Sequence, residues 1–162
     1  MFPLDLMQLA EQVLARARAQ KLRIATAESC TGGLIGGALT EIPGSSDVFE
    51  RGFIVYSNKS KSELLGVPEH FVEERGAVSE EVARSMAEGA IGRSGAELAV
   101  AVTGIAGPDG GTKDKPVGLV HIAASRAGHA TLHEAHLFGD AGRHRIRMAS
   151  VEAGLRLLLR LL

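Results

Sequence analysis

The chain is short of most residue types by which a function announces itself. A single cysteine, Cys30, among 162 residues leaves no partner for an internal disulfide and no thiolate set for zinc. It suits a reducing compartment, so the cytoplasm is the expected location. No surplus of one charge is present, with 18 Lys+Arg against 19 Asp+Glu. The protein therefore has no global field to draw in nucleic acid, and no such partner is expected. No apolar run reaches the ~20 residues that a bilayer crossing requires. The first eighteen residues carry Asp5 and Glu11 among spaced apolar side chains, unlike a signal peptide, and no membrane partner is expected either. Repeats, low-complexity tracts and linkers are missing too, so residues 1–162 are expected to form one domain.

What is present is a regular alternation of apolar runs and helical patterns. Leu6, Leu9, Ala10, Val13, Leu14 and Ala17 recur at helical spacing, which predicts an amphipathic helix over 5–19 with Asp5 as its N-cap and Gln8 as the partner. Three apolar runs, 22–26, 52–56 and 98–103, are each followed by small or polar residues and then a helical pattern, the rhythm of parallel strands joined by crossovers. The middle helix, about 79–93, opens on Ser79 as cap and the acids Glu80 and Glu81, and Gly95 is expected to end it. Runs 117–125 and 130–138 are joined by four residues, too few for a parallel crossover, and should form an antiparallel hairpin. A last helix from about Gly142 carries Ile146, Val151, Leu155, Leu158 and Leu162 on one side and arginines 143, 145, 147, 156 and 160 on the other. The expected fold is α/β, a mixed and mainly parallel sheet ending in an antiparallel hairpin.

In such sheets ligands gather beyond the carboxyl ends of parallel strands. The first of these ends carries Ala27-Glu28-Ser29-Cys30-Thr31-Gly32-Gly33, a hydroxyl between a strand and a glycine-opened helix. There the backbone N–H groups of Thr31, Gly32 and Gly33 could hold an oxyanion. The second carries Tyr56, Ser57 and Asn58, then Lys61; with Asn58 as N-cap, Lys61 falls in the first helical turn. The helix dipole, the second ammonium at Lys59 and burial would all favour a neutral amine able to activate Ser29. Tyr56 could relay a proton or hold the lysine. The third carries Thr103 and Gly104 ahead of a glycine-rich loop, 107–111, that matches no Walker or dinucleotide fingerprint.

Each residue has a plainer reading. A serine before a helix is usually a cap, a lone lysine is usually solvated, and a lone tyrosine is usually half-buried in a sheet. What favours chemistry is their coincidence at the ends of successive strands. Cys30 is the rival nucleophile, but no histidine lies in the pocket loops to pair with it, and it reads as a small buried spacer. His133 and His136 would face opposite sides of a strand, which spoils a metal cluster. Arg143 and Arg147, one helical turn apart, could grip one anion or form a solvated basic face.

These residues, together with Gly66-Val67, Thr103-Gly104-Ile105-Ala106-Gly107-Pro108, Gly110-Gly111 and Lys115-Pro116-Val117-Gly118, resemble the C-terminal domain family of competence/damage-inducible protein A over nearly the whole chain. Stand-alone members of that family are nicotinamide-nucleotide amidohydrolases. The resemblance implies a three-layer αβα domain that converts nicotinamide mononucleotide to nicotinic acid mononucleotide and ammonia, with no metal or organic cofactor. It casts Ser29 as nucleophile, Lys61 as its base and Tyr56 as the tyrosine beside them, and it puts Thr103 and Gly104 at the carboxamide or ribose. The family's Gly-Asp-Arg pattern is interrupted here by Ala141-Gly142 before Arg143, and either Arg143, Arg147 or a helix start would meet the phosphate. The other readings are a non-catalytic nucleotide- or partner-binding module serving competence or DNA-damage response, and an esterase or peptidase using the same serine and lysine. A homodimer is the expected assembly, two-fold pairs being the commonest.

Overall fold

A computed structural model describes residues 2–162. Helix α1 (Leu4–Ala19) leads to β1 (Ile24–Glu28), α2 (Leu34–Thr40), β2 (Phe49–Ile54), α3 (Asn58–Leu65), α4 (Glu69–Arg75), α5 (Glu80–Gly92), β3 (Leu98–Gly104), β4 (Leu119–Arg126), β5 (Leu132–Leu137) and α6 (Arg143–Leu159). The five strands form one sheet in the order β2-β1-β3-β4-β5. β1 runs parallel to both β2 and β3, while β3–β4 and β4–β5 are antiparallel. The α/β reading with a terminal hairpin therefore holds.

Side-chain alternation explains the layers. Successive strand residues point to opposite faces. Ile24, Leu98, Val100, Val102, Val120 and Ile122 turn to the face covered by α1, α2 and α6, whereas Ala25, Ala27, Ala99, Ala101 and Ala123 turn to the face covered by α3 and α5. The alanine face lets α5 lie close on the sheet through Val82, Ala83, Met86, Ala87 and Ala90. Close approach is demanded again where α3 ends on α5: a Cβ at Gly89 would overlap the Leu65 carbonyl oxygen. Gly89→Ala is expected to destabilise the fold by about 1–3 kcal/mol despite the better helix propensity of alanine, because the two helices must part. The midpoint of urea unfolding measures it.

Several boundaries fall elsewhere than expected. The cap of α1 is Pro3, and Asp5 lies inside the first turn, where its carboxylate accepts the Leu6 N–H. β2 begins at Phe49 rather than Gly52, since its first half is an edge with Glu50 and Arg51 paired to each other. Ser57, not Asn58, caps α3 by accepting the Ser60 N–H. Ser79 does cap α5, accepting the Val82 N–H, but the helix ends at Gly92 with Arg93 as its C-cap, before Gly95. Leu162 lies beyond the end of α6. No helix among the described residues is long and apolar enough to cross a membrane.

Candidate active site

The strand order puts the chain's topological switch at β1, because β2 lies on one side of it and β3 on the other. A crevice must open there between the loops that leave β1 and β3 in opposite directions. It holds a pocket of about 270 Å³ lined by Ser29 and Cys30 after β1, Tyr56, Asn58 and Lys61 after β2, Thr103 and Gly104 at the end of β3 and the loop from there to Gly110, Ala77 and Val78 before α5, and Arg143 at the start of α6.

At its floor Lys61 Nζ lies 3.2 Å from Ser29 Oγ. Lys61 is 1% exposed and Ser29 9%. Nζ also donates to the carbonyl of Val55 at 2.9 Å and approaches that of Ser57 at 3.5 Å. No carboxylate makes an ion pair with it among the described residues. Burial pushes the ammonium below its ordinary range. The expected contribution of Lys59 is not seen: that side chain is 82% exposed and pairs with Glu63 across one helical turn at 3.3 Å. Lys61 itself sits four residues after the cap, so desolvation rather than the helix end or a neighbouring ammonium holds its proton loosely.

Tyr56 lines the pocket but does not touch the pair. Its ring is exposed, and its hydroxyl accepts from Arg143 Nη2 at 3.0 Å. The lysine is held instead by the carbonyls on either side of Tyr56 in sequence. Arg143 Nη1 also donates to the Gly107 carbonyl at 2.9 Å, which ties α6 to the glycine loop across the pocket mouth. Thr103 is buried, and its hydroxyl donates to the Ala77 carbonyl at 2.8 Å. Gly104 runs so close to β4 that a Cβ would meet Val120 Cγ2 at 2.7 Å.

The turn after Ser29 corrects two expectations. Gly32 and Gly33 adopt positive φ, which lets the chain reverse into α2. Their N–H groups are already engaged: Gly32 donates to the Ser29 carbonyl at 3.0 Å and Gly33 to Glu28 Oε2 at 3.0 Å. No backbone carbonyl takes the N–H groups of Cys30 and Thr31 among the described residues, and that of Cys30 lies beside its own thiol. Arg147, expected to grip an anion, donates through Nε to the Cys30 carbonyl at 3.1 Å and through Nη2 to the Thr31 carbonyl at 2.8 Å, and does not line the pocket. Cys30 is buried, and desolvation, with the nearby Glu28 charge, pushes its thiol up to about 11, so it is a poor thiolate source.

Two residues that the sequence did not single out build the frame. Glu28, 1% exposed, reaches past the turn to accept the N–H groups of Gly33, Ile35 and Gly36, which satisfies three of the four orphan donors at the start of α2. The one signal was an acid at the last position of a strand ahead of a helix with no Ser, Thr, Asn or Asp at its cap. Lys115 Nζ donates to the carbonyls of Arg75 and Val78, anchoring the glycine loop to the pocket wall. As expected, His133 and His136 take opposite faces: His133 lies within 2.9 Å of His121, and His136 pairs with Glu134. No group of three or more His, Cys, Asp or Glu residues that could hold a metal occurs among the described residues.

The fold and pocket define an α/β/α domain whose sheet-end crevice brings a buried lysine against a serine. The family model described as CinA C-terminal domain matches residues 6–162, and the chain belongs to that family. Its structure is similar to that of competence/damage inducible protein CihA from Agrobacterium tumefaciens, with 50% identity, 99% of this chain and 98% of that chain covered, and a TM-score of 0.98. A competence-damaged protein (CinA) superfamily protein from Escherichia coli has 33% identity over 97% of this chain and 90% of its own, with a TM-score of 0.91. A CinA-like protein from Syntrophus aciditrophicus is 48% identical over 99% of this chain but only 38% of its own length. The chain thus spans less than two fifths of the curated relatives it matches.

Proposed function

We propose that the domain hydrolyses the carboxamide of nicotinamide mononucleotide, giving nicotinic acid mononucleotide and ammonia. The observation that carries the proposal is the desolvated Lys61 Nζ at 3.2 Å from Ser29 Oγ. An uncharged amine has two hydrogens and one lone pair. With the hydrogens turned to the carbonyls of Val55 and Ser57, the lone pair faces the serine hydroxyl. Ser29 Oγ attacks the carboxamide carbon while Lys61 takes its proton. The oxyanion is met by the free N–H groups of Cys30 and Thr31, the donors that a nucleophile turn leaves over. Lys61 then returns the proton to the amide nitrogen, the C–N bond breaks and ammonia leaves. Water adds to the acyl-enzyme by the same route, releasing the carboxylate and restoring Ser29.

Arg143, at the first position of α6 and facing the mouth, is the residue for the phosphate. Thr103 and Gly104 form the wall beside the carboxamide or ribose, and Tyr56 braces Arg143. The choice of a nicotinamide nucleotide over other amides is supported by the family resemblance rather than by the serine and lysine alone. The names of some relatives speak of competence and damage, which keeps a binding module as the second reading. Incubation with nicotinamide mononucleotide, followed by ammonia release and the appearance of the acid, separates the two. Binding without turnover would support the module, and hydrolysis of simple esters or peptides in preference would support the third class.

A further inference from the structure

Arg147 is engaged on the backbone of the nucleophile turn. Its fork takes two successive carbonyls, those of Cys30 and Thr31. In a trans peptide the C=O and the following N–H point in opposite directions. Drawing the Cys30 carbonyl to α6 therefore turns the Thr31 N–H away from α6. The Thr31 carbonyl is drawn the same way and also accepts the Leu34 N–H at 3.3 Å, and the Gly32 N–H of that plane closes back on the Ser29 carbonyl. Four groups of the turn are accounted for, and the N–H groups of Cys30 and Thr31 are left over.

We infer that Arg147 is a positioning residue that shapes the oxyanion site by locking the peptide planes on either side of Thr31. This rests on the amidase reading above. Only a guanidinium suits the task, because its planar fork meets two carbonyls at a fixed separation, whereas an ammonium is a single point. Gly32 is called for by its backbone, with φ of +60°, rather than by crowding, since a Cβ there would make only ordinary contact with Arg147 Nη2 at 3.4 Å. No carboxylate pairs with Arg147 among the described residues, so its charge stays beside the turn, and it is one of the charges that favour the Cys30 thiolate. The two arginines one turn apart on α6 thus divide the work. Arg143 faces the substrate and Arg147 the backbone that meets the reacting atom.

The alternative, Arg147 as a phosphate ligand, predicts a different kinetic signature. Losing a ground-state contact raises KM, while losing an oxyanion donor lowers kcat by about 10²–10³-fold. Arg147→Ala and Arg147→Lys are assayed for ammonia release, with and without low-millimolar guanidinium chloride. Ser29 labelling by a small fluorophosphonate serves as a second readout that needs no nicotinamide substrate. The expected result is a fall in kcat of about 10²-fold for alanine with KM nearly unchanged, a smaller fall for lysine, recovery of about tenfold with guanidinium in the alanine variant, and slowed labelling in both. The rise of kcat/KM with pH keeps its midpoint, since Arg147 does not touch Lys61. An unchanged kcat with raised KM, or loss without rescue and with normal labelling, overturns the inference. Wild-type protein that labels at Ser29 but releases no ammonia would remove the nicotinamide reading, and slower labelling of the Arg147 variants would still uphold the clamp.

Discussion

Ser29→Ala is expected to bring ammonia release from nicotinamide mononucleotide down by about 10⁵-fold or more, the scale on which hydrolases lose kcat with their nucleophile. The fold should survive. Ser29 contributes one side-chain contact, and Lys61 keeps the Val55 carbonyl as acceptor when the hydroxyl goes, so the change in unfolding free energy should stay within about 1 kcal/mol. Binding of the nucleotide should also survive, because Arg143 and the walls at Thr103 and Gly104 are untouched. The informative result is the combination of a stable, ligand-binding protein with no turnover. Turnover at the wild-type rate would end the serine mechanism. Cys30 would not inherit the role easily, since its thiol is buried and pushed up to about 11.

The parts of this site that were legible in the sequence are those whose signal is local. Ser29 stands between an apolar run and paired glycines, Lys61 stands one turn into a helix, and Thr103 ends a run of apolar strand residues, so three strand ends line up from the sequence alone. The core helices were legible for the same reason: all six apolar positions expected to face inward on α1 are buried. What could not be read was anything decided by the third dimension. The partners of Tyr56 and Arg147 depend on where α6 crosses the sheet, and i,i+4 spacing put Arg143 and Arg147 on one helix face without saying that one would meet a pocket and the other a backbone turn. Glu28 is hidden because a strand residue that caps the N–H groups of a helix start five to eight residues on has no periodic signature. Helix α4 was not foreseen, and it has no buried residue to impose a pattern. The start of β2 was misread because an edge strand need not be apolar.

These misses share a cause with the chemistry. A reactive pair needs groups held in costly states, and the residues that hold them lie far off in sequence. The loosely held proton of the lysine depends on burial and on the carbonyls of the strand exit, and the turn's remaining N–H groups depend on a glutamate from β1 and an arginine from α6 that occupy its other polar groups. The serine turn has little freedom of its own, and its geometry is set from outside.

Lys61→Met should cost activity heavily, though less than loss of the serine, and it reports on stability as well. Methionine keeps the length and the apolar stem of lysine but offers no lone pair, so kcat/KM should fall by about 10³-fold or more, within the range of a positioned general base. In the wild type kcat/KM should rise with pH, half-maximal at a value below the 10.5 of a solvated lysine because burial disfavours the ammonium. The residual rate of the variant should lack that limb. Stability should move with the same proton. The unfolded chain takes it up as pH falls through 10.5, whereas the folded chain takes it up only at lower pH. Between the two values the unfolded state carries more protons, so the wild type loses stability as pH falls, and above 10.5 the penalty is absent. The variant has no such dependence at this position, but it leaves the Val55 carbonyl without its donor, at about 1–3 kcal/mol at every pH. Urea unfolding at pH 7 and at successive steps toward 10.5 should therefore show the wild type gaining on Lys61→Met as pH rises. Two parallel curves would mean that the buried amine titrates like an exposed one, and an amine that keeps its proton at neutral pH cannot take one from Ser29.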